Sequence, residues 1–201
     1  VAPYPAALLD INHAIGWLKE NAERFGSRRE RVGGVGTSSG GHLLMLSAMR
    51  AQSGMYADSA LAKQEAQDAR LAYAVACWPV LDPLARYGHA RANGRKRLIE
   101  AHHAFWRDEA QMEDANPLRI LQRGEAACLP PALLLQGTAD ANFDYRNTVD
   151  FADAYRKAGG EAELGLYEGA PHGFIKAGRE SAVAQTALER MRDFIVRSCP
   201  A

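Results

Sequence analysis

The 201-residue chain has no charge excess of either sign: Lys and Arg number 24 together, and so do Asp and Glu. Without a basic surplus there is no electrostatic footprint for nucleic acid, and without any imbalance none for an anionic membrane surface. An apolar run of about 18 residues, the length that spans a bilayer, is absent, so no membrane-spanning helix is expected. No signal-peptide pattern opens the sequence. Cysteine is scarce. Cys77, Cys128 and Cys199 do not fall at metal-ligand spacing, and their odd number favours a reducing, cytoplasmic setting. His102 and His103 are adjacent, and on a helix adjacent side chains diverge by about 100°, whereas metal-binding pairs stand four apart. Neither a metal nor a cofactor is expected. There are no repeats and no low-complexity tract.

What the chain does have is a glycine-rich turn with serine at its apex, Gly36-Thr37-Ser38-Ser39-Gly40. A short apolar run, Arg31 to Val35, precedes it, and a helix-like run, Gly41-His42-Leu43-Leu44-Met45-Leu46, follows. Strand, sharp turn and helix around G-x-S-x-G is the pattern of a nucleophile elbow. The turn strains the serine backbone, and side chains at the flanking glycines are expected to collide with strand or helix. Other glycine-loop chemistries fit less well. A phosphate loop needs lysine before its Ser/Thr, and a dinucleotide fingerprint starting at Gly34 needs glycine where Ser39 stands.

Two further residues complete an acyl-transfer set. Pro131 to Gly137 reads as a buried strand, with Asp140 just beyond it. Ala162 to Tyr167 reads as another strand, followed by the loop Glu168-Gly169-Ala170-Pro171-His172-Gly173-Phe174. An elbow of this kind takes its acid and then its histidine further along the chain. His172 is the only histidine after Asp140, so it is the one candidate base. Asp144 competes with Asp140 for the acid. Taken singly, each of these residues is equally a turn former or loop residue; the set is the signal.

The rest of the chain alternates helix and strand. Leu8, Ile11, Ile15, Leu18, Ala22 and Phe25 recur at helical spacing up to Gly26. A helix is expected from the elbow through about Arg50, a second buried strand over Leu71 to Val80, a helix over Asp144 to Ala158, and a last amphipathic helix carrying Ala184, Leu188, Met191 and Ile195. Such alternation implies a mostly parallel sheet flanked by helices on both faces, an α/β fold in a single domain over 1–201. The stretch from about 84 to 129 breaks this rhythm and is too long for an ordinary connection.

The chain resembles the hormone-sensitive-lipase-like and acetyl-esterase-like group of α/β-hydrolases. That group carries G-D-S-A-G-G or similar at the elbow, here Gly36-Thr37-Ser38-Ser39-Gly40-Gly41; a G-x-x-D segment, here Gly137 to Asp140; and an H-G-F loop, here His172-Gly173-Phe174. The opening Val1-Ala2-Pro3-Tyr4-Pro5-Ala6-Ala7 is similar to the end of its Y-R-x-A-P-x-x-P-x-P-A-A segment. The resemblance implies an α/β-hydrolase fold lacking its N-terminal strands. It also implies an upstream His-Gly-Gly oxyanion loop, which the sequence does not contain. The expectation is an N-terminally incomplete chain, unstable or aggregating alone, whose full gene product is the enzyme.

The implied activity is cleavage of carboxylic esters with short acyl chains, on a small-molecule substrate. Ser38 is the nucleophile, His172 the base and Asp140 its partner, with the Ser39 backbone N–H in the oxyanion hole. The 84–129 insertion is read as a partial lid, with Phe105 and Trp106 as pocket walls or as anchors of the segment. Trp78 either lines the pocket or packs in the core. The alternatives are a serine peptidase or amidase of the same fold, in which an aromatic residue usually occupies the position of Ser39, and an inactive hydrolase fragment. The sequence does not specify an oligomeric state.

Overall fold

A computed structural model describes residues 2–51, 56 and 68–199; Val1, and with it the first residue of the Pro-rich opening motif, lies outside them. Four parallel strands form one sheet in sequence order: β1 (Gly34–Thr37), β2 (Ala74–Cys77), β3 (Ala132–Gly137) and β4 (Ala162–Tyr167). The β2 pattern of small and branched residues, all buried, is that of a strand covered on both faces. Its side chains alternate between two cores. Ala74 and Ala76 enter one with Ala132 and Leu134 of β3, while Val75 and Cys77 enter the other with Leu133 and Leu135.

Helices cover both faces. On the first lie α1 (Ala6–Glu20), α2 (Ser39–Met49) and α7 (Arg146–Lys157), contributing Leu8, Met45, Met49, Phe151 and Tyr155 to the core. On the second lie α8 (Phe174–Ala177) and α9 (Ala182–Ser198), contributing Phe174, Ala187 and Phe194. The fold is an α/β-hydrolase-type parallel sheet with helices on both sides.

Several boundaries differ from the sequence reading for local reasons. The Arg31–Val35 run enters the sheet only at Gly34, because Arg29–Arg31 closes a 3₁₀ turn. Only Ala74–Cys77 of the expected Leu71–Val80 strand pairs, since Trp78 turns out of it with φ +40°. The apolar stripe of α1 breaks at Glu20. Ala22–Phe25 is a 3₁₀ turn closed by left-handed Gly26, and Leu18 and Phe25 lie exposed. The 84–129 stretch is filled by four helices, with α3 (Pro83–Ala92), α4 (Lys96–Phe105), α5 (Glu109–Asp114) and α6 (Pro117–Gln122). The side chains of Asp82, Asp108 and Asn116 cap three of them by accepting from Ala85, Gln111 and Arg119 N–H groups. Among the described residues, no helix is long and apolar enough to cross a membrane.

Candidate active site

Because the strands are parallel, their carboxyl ends share one edge, and the residues that leave them gather there. Ser38 follows β1, Trp78 follows β2, Asp140 lies three residues beyond β3 and His172 five beyond β4. Ser38 has φ +52°, a backbone state that side chains other than glycine adopt only when the surroundings impose it. Here they do. Its N–H donates to Cys77 O at 2.9 Å, and its carbonyl accepts from Gly41, His42 and Val80.

The glycines of the elbow divide the work differently from the sequence expectation. A Cβ on Gly36 would stand 2.5 Å from Gly40 O, and one on Gly41 would stand 2.7 Å from Pro79 Cβ. Gly40 faces open space. Gly41, outside the five-residue motif, is therefore the second required glycine. Thermal melts should separate them: Gly36→Ala is expected to lose about 1–3 kcal/mol from overpacking, while Gly40→Ala leaves the fold intact.

The three chemistry-bearing side chains form one hydrogen-bonded relay. His172 Nδ1–H donates to Asp140 Oδ2 at 2.7 Å, which leaves Nε2 as acceptor for the Ser38 hydroxyl at 3.1 Å. The Asp140 side chain is fully buried and held from two more directions, by Asn142 N–H at 2.8 Å and Gln136 Nε2 at 3.1 Å. Gln136 is in turn fixed by the Thr148 hydroxyl. Asp144, the competing acid, accepts instead from Arg146 N–H and Nη1. Ser39 opens α2, so its N–H has no partner one helical turn back and points with the positive end of the helix dipole.

Trp78 is 3% exposed; its ring packs on Phe174 at 5.5 Å and on His172 at 6.3 Å. It backs the imidazole from the core and takes no part in the cavity described next. Phe143 also packs edge-on against the His172 ring at 5.9 Å. Cys77, directly before Trp78, is a packed thiol that burial pushes up to about 12.

A cavity of about 390 Å³ opens beside Ser39, with Arg86, His102, Phe105 and Trp106 from the 84–129 helices and His42 from α2 in its wall. Phe105 and Trp106 thus line this space while also gripping the chain start, where Tyr4 packs on Trp106 at 5.2 Å and its N–H donates to Phe105 O. Sequence reasoning missed Gln136, His42 and Arg86. A glutamine inside the apolar run Ala132–Leu135 was the available signal for the first; the other two sit on helix surfaces that only packing turns inward.

His42 donates from Nε2 to Ala115 O at 3.0 Å. Burial, with the Arg86 charge, pulls it down from 6.5 to about 4, against the opposing effect of that bond. The unfolded chain therefore binds this proton at higher pH than the folded one. Stability is full above pH 6.5 and falls as the pH drops toward 4, by about 3 kcal/mol from this group. Urea midpoints at pH 7 and 4.5 test this. His42→Gln, which can keep the donor, is expected to remove this share of the difference and leave the share of buried His102.

Residues 1–176 match the family model of the alpha/beta hydrolase fold, and the chain belongs to that family. Esterase LipC of Mycobacterium tuberculosis is 28% identical over 187 residues, covering 87% of this chain and 43% of LipC. Among solved structures, the esterase Est2 of Thermogutta terrifontis superposes with a TM-score of 0.71 at 29% identity, over 94% of this chain and 63% of Est2. Its propionate-bound form gives the same score and identity, over 94% of this chain and 64% of that one. The chain thus spans less than two thirds of the length of these relatives.

Proposed function

We propose that the chain carries the catalytic machinery of a serine hydrolase for carboxylic esters of short acyl chains. The observation that carries this reading is the Ser38–His172–Asp140 relay at 3.1 and 2.7 Å, on the carboxyl edge of a parallel sheet. As Ser38 Oγ attacks the ester carbonyl carbon, its proton passes to His172 Nε2, and Asp140 holds the resulting imidazolium. The carbonyl oxygen, now negative, is met by the Ser39 N–H at the α2 N-terminus. Collapse of the tetrahedral intermediate breaks the C–O bond, and the His172 proton leaves with the alcohol. Water, deprotonated by His172, then attacks the acyl-enzyme, and the proton returns to Ser38 as the acid departs.

Short acyl groups fit the limited cavity and the aromatic wall of Phe105 and Trp106, and propionate is bound in the related Est2. In this reading the 84–129 helices act as a partial lid over the cavity. A fluorophosphonate probe, mapped by peptide mass spectrometry, tests the central point. Labelling at Ser38 that disappears in Ser38→Ala supports an activated serine; a folded chain that takes no label refutes it.

A further inference from the structure

We infer that the cavity beside Ser39 is a carboxylate-binding subsite, so that the preferred esters carry a free carboxylate on the short chain that enters it. This rests on the ester-hydrolase reading above. The observation behind it is a buried cation left without a counter-ion among the described residues. Among the described residues three cationic side chains are buried, Lys19, Arg50 and Arg86. Lys19 pairs with Asp68 at 2.9 Å, and Arg50 with Asp114 and Glu125, both at 3.5 Å. Arg86 forms no ion pair among the described residues. Its Nη1 donates to Ser39 Oγ at 3.3 Å and its Nε is buried with no partner. The carboxylate one helical turn back, Asp82, is occupied by Ala85 N–H and Asn116 Nδ2. A buried guanidinium retains its charge, and buried charges are paired in stable sites.

His102 adds a second unsatisfied group to the same cavity wall. It is 3% exposed, and among the described residues both its ring nitrogens lack partners. Burial and the Arg86 charge hold it down at about 3, so it is neutral near pH 7 and offers one N–H donor and one acceptor. The bond to Ser39 ties Arg86 to the residue that follows Ser38 in the chain. Asp10, on the rim, is exposed to solvent, where its charge is screened. Apart from Ser39, which accepts from Arg86, and His42, which donates to Ala115 O, the remaining wall is apolar and includes Leu43, Val80, Phe105 and Trp106. A few methylenes ending in a planar anion match this lining: the chain lies on the apolar wall, and Arg86 offers a fork that carboxylate oxygens accept.

The carboxylate can belong to the acyl side, as in a half-ester of a dicarboxylic acid, or to the alcohol side, as in an ester of a hydroxy acid. Two matched pairs separate them by kcat/KM in a pH-stat: monoethyl glutarate against ethyl pentanoate, and 3-acetoxypropanoate against propyl acetate. The expected result is a preference of about 10- to 100-fold for the carboxylate member of one pair, collapsing toward unity in Arg86→Gln. Independently of turnover, glutarate but not the neutral glutaramide should raise the melting temperature of the wild-type chain and slow fluorophosphonate labelling of Ser38. If no ester is cleaved, the hydrolase reading fails and the glutarate measurement alone decides the subsite. If Arg86→Gln does not fold, the wild-type comparisons decide it. Equal rates within both pairs, with no glutarate effect, overturn the inference.

Discussion

Replacement of Ser38 by alanine is expected to lower kcat/KM for a short-chain ester by roughly 10⁴–10⁶, measured with active-site titration to exclude wild-type carry-over. The size follows from the geometry. In the proposed mechanism the Ser38 hydroxyl is the oxygen that accepts the acyl group, and the hydrogen-bonded relay behind it takes up its proton. Without it, the imidazole can at best activate water that has no fixed position. His172→Ala should fall to the same level, and the double variant should fall no further. Residues that act in one proton transfer fail together, and their losses do not add. A double variant much worse than either single one would mean that Ser38 and His172 act in separate steps.

Asp140→Asn is expected to lose about 10⁴ in kcat while the folded structure persists, and Asp144→Asn to stay within a few-fold of wild type. The amide can still bond His172 Nδ1, but it offers a donor as well as an acceptor. It can turn the imidazole to the tautomer whose Nε2 carries the hydrogen and no longer accepts from Ser38. The surroundings magnify this. Asp140 is fully buried and receives bonds from Asn142 N–H and Gln136 Nε2, both of which need an acceptor there. Asp144 answers only to Arg146 in its own turn. Comparing kcat for the two variants, with circular dichroism to verify folding, distinguishes the acid from its neighbour. Similar losses in both would overturn the assignment.

Much of the fold was legible because its signals are local. Ala162–Tyr167 and the run to Gly137 became strands as read, since stretches of about six residues between glycine and proline have the usual length of a strand and are short for a helix. The elbow was legible for a similar reason: Ser38 at φ +52° needs the small residues that surround it. The errors came where one residue type serves two purposes. Leu18 and Phe25 keep helical spacing with the buried Leu8 and Ile15, yet the helix ends at Glu20 and both face solvent. Gly40 satisfies the motif but a side chain there would meet nothing, while Gly41 is held against Pro79, a residue 38 positions away in sequence that no local pattern connects to it.

The sequence by itself determined the parallel α/β architecture, the chain order serine, acid, histidine, and the identity of the only histidine able to follow the acid. Those are properties of short-range pattern and of order along the chain, which folding does not alter. Tertiary structure alone decided that Asp140 and not Asp144 meets His172, since both follow the same strand and only the turn at Asn142 aims one of them. It also decided that Trp78 supports the imidazole from the core. And it alone brought Arg86 of α3 and His102 of α4 to the cavity beside Ser39 with polar atoms unpaired among the described residues. Burial and the lack of a partner are relations between distant segments, so they exist only once the chain has packed.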